Sequence, residues 1–167
     1  NTNERTIDSQ LATTSVHLDP VMGGTVVSGL NIVDGRIKGY PVSKLFYVYY
    51  CRGNTDYGVN GFTDNADGTV SDTATGLTWQ KTDSGVGMLW SNALAYAESS
   101  TFAGHDDWRL PNAKELQSIV DYSRAPGATG SAACDPILGC TAITNEGGDV
   151  DWPWYYSSTT HGRQDGS

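Results

Sequence analysis

The sequence predicts an α+β domain of short, twisted antiparallel strands, two helices and long loops. Three observations lead there. Twenty Gly among abundant Thr, Ser and Asp mark a chain with many turns. Short aromatic or alternating segments are separated by Asp-Gly pairs, the signature of hairpins. Only two stretches, from Trp90 and from Pro111, carry the 3.6-residue apolar period of a helix.

At 167 residues the length suits one ordinary domain. Ten Lys and Arg against 19 Asp and Glu leave a formal charge of -9. That acidic surface repels phosphate backbones, anionic headgroups and sulfated polysaccharides, so a nucleic-acid or heparin binder is not expected. With 38% hydrophobic and 17% charged residues the chain is no disordered polyelectrolyte. Its longest apolar run, Leu45 to Cys51, is far short of the ~20 residues of a spanning helix, and no membrane insertion is expected. Asn1 opens a polar segment with neither a basic nor an apolar leader region. A signal peptide is therefore expected to be already removed or never present.

Residues 1–20 are polar and Thr/Ser-rich without a strong period. Val26, Val27, Leu30, Ile32 and Val33 read as one or two strands, and Asp34-Gly35 as a two-residue turn with Arg36 to Tyr40 returning. Leu45 to Cys51, rich in aromatics and Val, reads as a central strand. Gly53 to Gly58 breaks the chain like a boundary. Phe62 to Asp72 reads as a hairpin around Asp67-Gly68, and Leu77 to Gln80 as the next strand. Trp90, Ala93, Leu94 and Ala97 line one face of a first helix. The second follows Pro111, with Asn112 capping and Glu115 reaching back. Its buried stripe is Leu116, Ile119 and Val120, with Lys114, Gln117 and Asp121 facing water. Residues 125–151 read as a long ordered loop, followed by aromatic Trp152 to Tyr156 and a polar end, Gly162 to Ser167.

Cys134 and Cys140 bracket a short loop that a disulfide could close, two free thiols being the other reading; no zinc spacing accompanies them. Cys51 reads as a buried small hydrophobe, with an intermolecular bridge as the alternative. His105-Asp106-Asp107-Trp108-Arg109 offers a binding or acid/base cluster. The preferred reading is structural: Arg109 and the aspartates lock the loop while Trp108 and Leu110 enter the core. One imidazole and two carboxylates without a nucleophile support no reaction class. Asp64, Asp67 and Asp72 invite calcium but fail the EF-hand pattern, and an Asp-Gly hairpin explains them without a metal. Trp152, Trp154, Tyr155 and Tyr156 form either a core strand or a sugar-stacking platform. Nucleophile elbows, phosphate loops and metalloprotease signatures are absent, so no enzyme is expected and no cofactor, calcium being the one alternative.

Asp64 to Asp72, Thr75 to Gln80, Ala93 to Ala97, Gly104-His105-Asp106-Asp107-Trp108-Arg109-Leu110-Pro111-Asn112 through Leu116, and Tyr156 to Thr160 carry a resemblance. Over Phe62 to Thr160 the chain resembles a bacterial domain family known from the C-terminal domain of a collagen-like surface adhesin. Trp108 to Asn112 is also similar to a block of the formylglycine-generating enzyme family. Both resemblances imply a C-type lectin-like fold. Asp34 to Pro41, Phe46-Tyr47-Val48 and Arg52-Gly53 look like the end of the same domain, though Cys51 is displaced by one position from the family's cysteine. Ala12 to His17 also echoes Ser157 to His161. Residues 1–58 are then the back half of one repeat and 59–167 the front half of the next.

The resemblance implies a non-catalytic extracellular or cell-surface module for adhesion or assembly. Its expected partners are a second copy, another surface protein or a glycan. Residues 1–58 would complete a neighbouring chain by strand exchange, giving a filament; a closed permutant and a fragment of a larger protein are the alternatives. The competing functions are a glycan-binding lectin-like domain and a formylglycine-generating-enzyme-like oxidase. The oxidase needs a reactive cysteine pair, and Cys134 and Cys140 match none of that family's cysteine positions.

Overall fold

A computed structural model describes residues 10–16, 24–32, 35 and 37–160. They form an α+β mixture of small antiparallel sheets and a few short helices, in two compact units. The first holds the described residues up to Thr55 together with Tyr122–Ala133; the second holds Asp56–Asp121 and the described residues from Cys134 on.

In the first unit β1 (Gln10–Val16), β2 (Val26–Asn31) and β3 (Ile37–Pro41) pair antiparallel in the order β1-β2-β3. β2 is the middle strand, and Val26, Ser28, Gly29 and Asn31 on it are buried. Gly29 is required by packing: a Cβ there would meet the Tyr40 ring at 2.9 Å. Tyr40 lies diagonally across the β2–β3 ladder, where an aromatic ring can cover a bare glycine. β1 falls in a segment the sequence left without structure. Its Thr- and Ser-rich composition carries no apolar alternation, and Thr13 Oγ1 secures it by donating to the Ser28 carbonyl at 2.7 Å.

Two expectations for this unit are corrected. The last β2–β3 pair is Leu30 with Ile37, so the connection is longer than a two-residue turn. Within it Gly35 has φ 72° and donates to the Asn31 carbonyl at 2.7 Å; Val33, Asp34 and Arg36 lie outside the described residues. The larger correction concerns Leu45 to Cys51. It is no central strand: its one ladder contact among the described residues is a parallel bridge between Tyr47 and Leu11. Leu45, Tyr47, Tyr49 and Tyr50 are 95%, 79%, 83% and 93% exposed, and Cys51 is exposed instead of a buried hydrophobe. Strand-forming composition describes a fit to neighbours, and apart from that one bridge to β1 the described residues supply no partner strand. Only Phe46 is partly covered, edge-on to Tyr40 at 5.3 Å with the Lys44 ammonium near both rings.

In the second unit β4 (Phe62–Asp64), β5 (Thr69–Asp72) and β6 (Leu77–Gln80) form the hairpin-and-strand sheet expected. Gly68 makes the turn with φ 88°, and a Cβ there would strike the Phe102 ring at 2.7 Å. Val70 is fully buried on the middle strand, flanked by Thr69 and Asp72. Helix α1 (Trp90–Glu98) buries Ala93. Helix α2 (Ala113–Ser118) begins at the expected capping box, with Asn112 accepting from the Lys114 and Glu115 amides and Glu115 accepting from the Asn112 amide. It is shorter than its apolar stripe implied. Ile119 is the C-cap, Val120 bridges to Cys134, and Asp121 is half-buried where water was expected.

The stretch 125–151 is not one loop. It contains a helical turn at Pro126–Thr129 and a small hairpin, β7 (Ile143–Thr144) with β8 (Val150–Asp151). Of the two segments that echo one another, Ala12–Val16 lies in β1 and residues 157–160 in no strand; His17 and His161 lie outside the described residues. So does the polar end from Gly162.

Candidate functional site

The site is built around one carboxylate. Just beyond β6, Thr82 bridges in parallel to Gly139, and the Gly139 amide donates to the Lys81 carbonyl at 2.6 Å. The Cys134 and Cys140 sulfurs sit at bonding distance and close this loop, with Cys134 and Leu138 buried beneath it. The loop therefore enters Thr141 beside Asp83 in a fixed position. Asp83 accepts from the Thr141 amide at 2.7 Å, from the Thr141 hydroxyl, from the Gly85 amide at 2.9 Å and from the Tyr155 hydroxyl at 2.6 Å. Burial opposes its charge, but these donors outweigh it and hold the carboxyl below its ordinary range. Burial first, then the hydrogen bond to Asp83 and its charge, push the Tyr155 phenol up, which keeps it a donor.

From Tyr155 onward the chain is pinned repeatedly. Trp90 Nε1 donates to the Ser157 carbonyl at 2.9 Å, the Ser158 amide to the Pro111 carbonyl at 2.8 Å, and the Ala113 amide to Thr159 Oγ1 at 3.0 Å. Trp152 is half-buried, its amide tied to the Asp151 carboxylate at 2.8 Å. Between these anchors Trp154 is 100% exposed, with Tyr155 and Tyr156 partly so. A core strand is thus not what Trp152 to Tyr156 forms, because β8 ends at Asp151 and no described strand pairs beyond it. The segment is an aromatic ledge on a hydrogen-bonded footing.

The His105 to Arg109 segment divides. Arg109 makes a bidentate ion pair with Glu115, both bonds 2.7 Å, which joins the loop to the capping box of α2. Trp108 is half-buried, donating to the Phe102 carbonyl at 2.9 Å with Phe102 and His105 edge-on to its ring. Asp106 and Asp107 are exposed, so Arg109 and Trp108 hold this loop and the aspartates do not.

Asp64, Asp67 and Asp72 each serve the hairpin. Asp64 pairs with Lys81 and accepts from the Ala66 amide at 2.9 Å. Asp67 accepts from the Thr69 amide and hydroxyl at 2.9 and 2.6 Å. Asp72, buried, accepts from Asn60, the Gly61 amide, the Ala74 amide and Thr75 at 2.8 to 3.0 Å. Among the described residues no group of three or more metal-ligating side chains is gathered.

Asp83, Thr141 and Trp90 are the site residues that sequence reading missed. The Asp83-Ser84-Gly85 turn was a local signal, but its partners lie 58 and 72 positions away. Residues 68–167, more than half of the chain, match the model of the Lcl C-terminal domain family. No curated protein and no solved structure matches the chain.

Proposed function

The chain belongs to the Lcl C-terminal domain family, a surface-protein domain family, and on that premise we propose that it is a non-catalytic extracellular module for adhesion or assembly at a cell surface, with a C-type lectin-like fold. The aromatic ledge carries this reading. An unburied indole is ordinary on a mobile tail; on a segment pinned at Tyr155, Ser157, Ser158 and Thr159 it is a preorganised contact surface. Aromatic faces beside hydroxyls and carboxylates suit the C–H surfaces of uncharged sugars, or an apolar protein partner. The chain's charge disfavours sulfated polymers.

The test is binding of the intact protein to an array of neutral and sulfated glycans and to bacterial surfaces, with Trp154→Ala alongside. The expected result is retention by a neutral glycan or a surface, lost at least tenfold in the variant while the circular-dichroism spectrum is unchanged. Retention that Trp154→Ala leaves intact, or none at all, would remove the ledge from the function.

Assembly is a second form of the same function, favoured by the exposed segment Leu45 to Tyr50. An exposed apolar segment with a single bridge suits strand exchange with the next copy, and repetition of that contact builds a filament. The oxidase reading is disfavoured because it needs reactive thiols, and Cys134 is buried and bonded to Cys140.

A further inference from the structure

We propose that Leu45 to Tyr50 is a donated strand whose acceptor is the acidic second unit of another copy of this chain, joined head to tail. This rests on the assembly form of the proposed function and adds the donor, the acceptor and the force that selects between occupants.

Three observations meet here. The first is area. At roughly 150–250 Å² per aromatic side chain, the three exposed tyrosines with Leu45 and Val48 present on the order of 700 Å², near the ~800 Å² per partner of a standard stable interface. The second is open backbone. Apart from the Tyr47 bridge, the segment makes no ladder pairing among the described residues, and no described strand covers the outer edge of β4. Donor and acceptor edges are therefore both available for strand addition.

The third observation is charge, and it names the partner. Arg36, Lys38, Lys44 and Arg52 lie between Gly35 and Thr55, where there is no acidic residue. Residues 56–121 and 134–160, the described part of the second unit, carry fourteen Asp and Glu against three Lys and Arg, and two of those three already pair with Asp64 and Glu115. A basic aromatic strand is thus carried by a chain whose other part is strongly acidic. Two donor strands placed against each other would repel, so a symmetric pairing through this segment is disfavoured. Donor against acidic unit is attractive, and that contact is heterologous: it leaves a free donor at one end and a free acceptor at the other.

The experiment is sedimentation velocity on the full chain in a Cys51→Ser background, which excludes thiol cross-linking. Ionic strength is raised from about 20 to about 500 mM to screen the attraction. Two variants accompany it, Lys44→Glu with Arg52→Glu, and Tyr49→Ser with Tyr50→Ser, all at exposed positions. The expected result is concentration-dependent growth beyond a dimer at low salt. It should weaken at least tenfold at high salt and at least tenfold in each variant. A chain that stays monomeric at high concentration and low salt would overturn the proposal, and so would a closed dimer. Association indifferent to both variants would do the same. In each case the Trp154→Ala binding experiment still stands, so loss of this interface is separable from loss of the adhesion reading.

Discussion

At the residue scale the second unit depends on carboxylates that complete turns. Asp72 is the most buried of them, 1% exposed, and it satisfies four donors from Asn60 to Thr75. Burial alone would raise its pKa, yet the donors win and hold it below the ordinary 3.8. Removing it leaves four donors without their acceptor. Asp72→Ala is expected to cost about 2 kcal/mol, since the carboxylate's hydrogen bonds are lost and water reaches the freed donors only in part. Urea denaturation followed by tryptophan fluorescence measures this; a loss below about 1 kcal/mol would show that water replaces the carboxylate. Trp79 is the contrasting case: its buried indole N–H has no acceptor among the described residues.

At the element scale α2 shows how a six-residue helix is sustained. So short a helix is marginal without help. Glu115 supplies that help twice, by accepting from the Asn112 amide and by pairing with Arg109. The Arg109 bonds and then the Asn112 amide lower its carboxyl to about 2. The pair is at the surface, so most of the benefit comes from the cap. Glu115→Ala is expected to destabilise the unit by about 1 kcal/mol, as for other lost caps. Glu115→Gln, which can still accept from Asn112, should recover part of that loss. Equal melting of both variants would mean that the Arg109 bond, not the cap, carries the helix. The consequence reaches the aromatic ledge, because Thr159 is tied to the first amide of this helix.

At the scale of the whole molecule the lowered carboxylates add up to an acid response. Asp64, Asp67, Asp72, Asp83 and Glu115 all lie in the second unit with folded pKa values below their ordinary ones. For a depressed acid the stabilisation is present above the unfolded pKa and is lost as pH falls through the folded value. The ordinary values here are 3.8 for Asp and 4.5 for Glu. The melting temperature is therefore expected to be level above about pH 5 and to fall steadily toward pH 2. All five tryptophans, at 79, 90, 108, 152 and 154, belong to this unit, so their fluorescence reports on it alone. A melting temperature unchanged between pH 5 and pH 2.5 would contradict the linkage.

What could be read directly from the residues is what neighbours in sequence impose on one another. Asp67-Gly68 turns β4 into β5 because glycine accepts the positive φ, and Asn112 with Glu115 starts α2 through bonds that span two or three residues. The period from Trp90 to Ala97 likewise suffices for α1. β1 escaped notice because its stability lies in pairing with β2, not in its own composition. Leu45 to Cys51 was misjudged for the same reason, and Trp152 to Tyr156 could not be decided between core and surface. Apolar composition records a preference for burial and says nothing of whether a partner is there to bury against. Among the described residues Leu45 to Tyr50 has one bridge and no covering strand, and Trp152 to Tyr156 is held by Asp83, 72 positions before Tyr155. Local dihedral preferences act within a few residues and survive translation into three dimensions; burial is a property of the assembled surface, so folding alone settles which aromatics are left facing water.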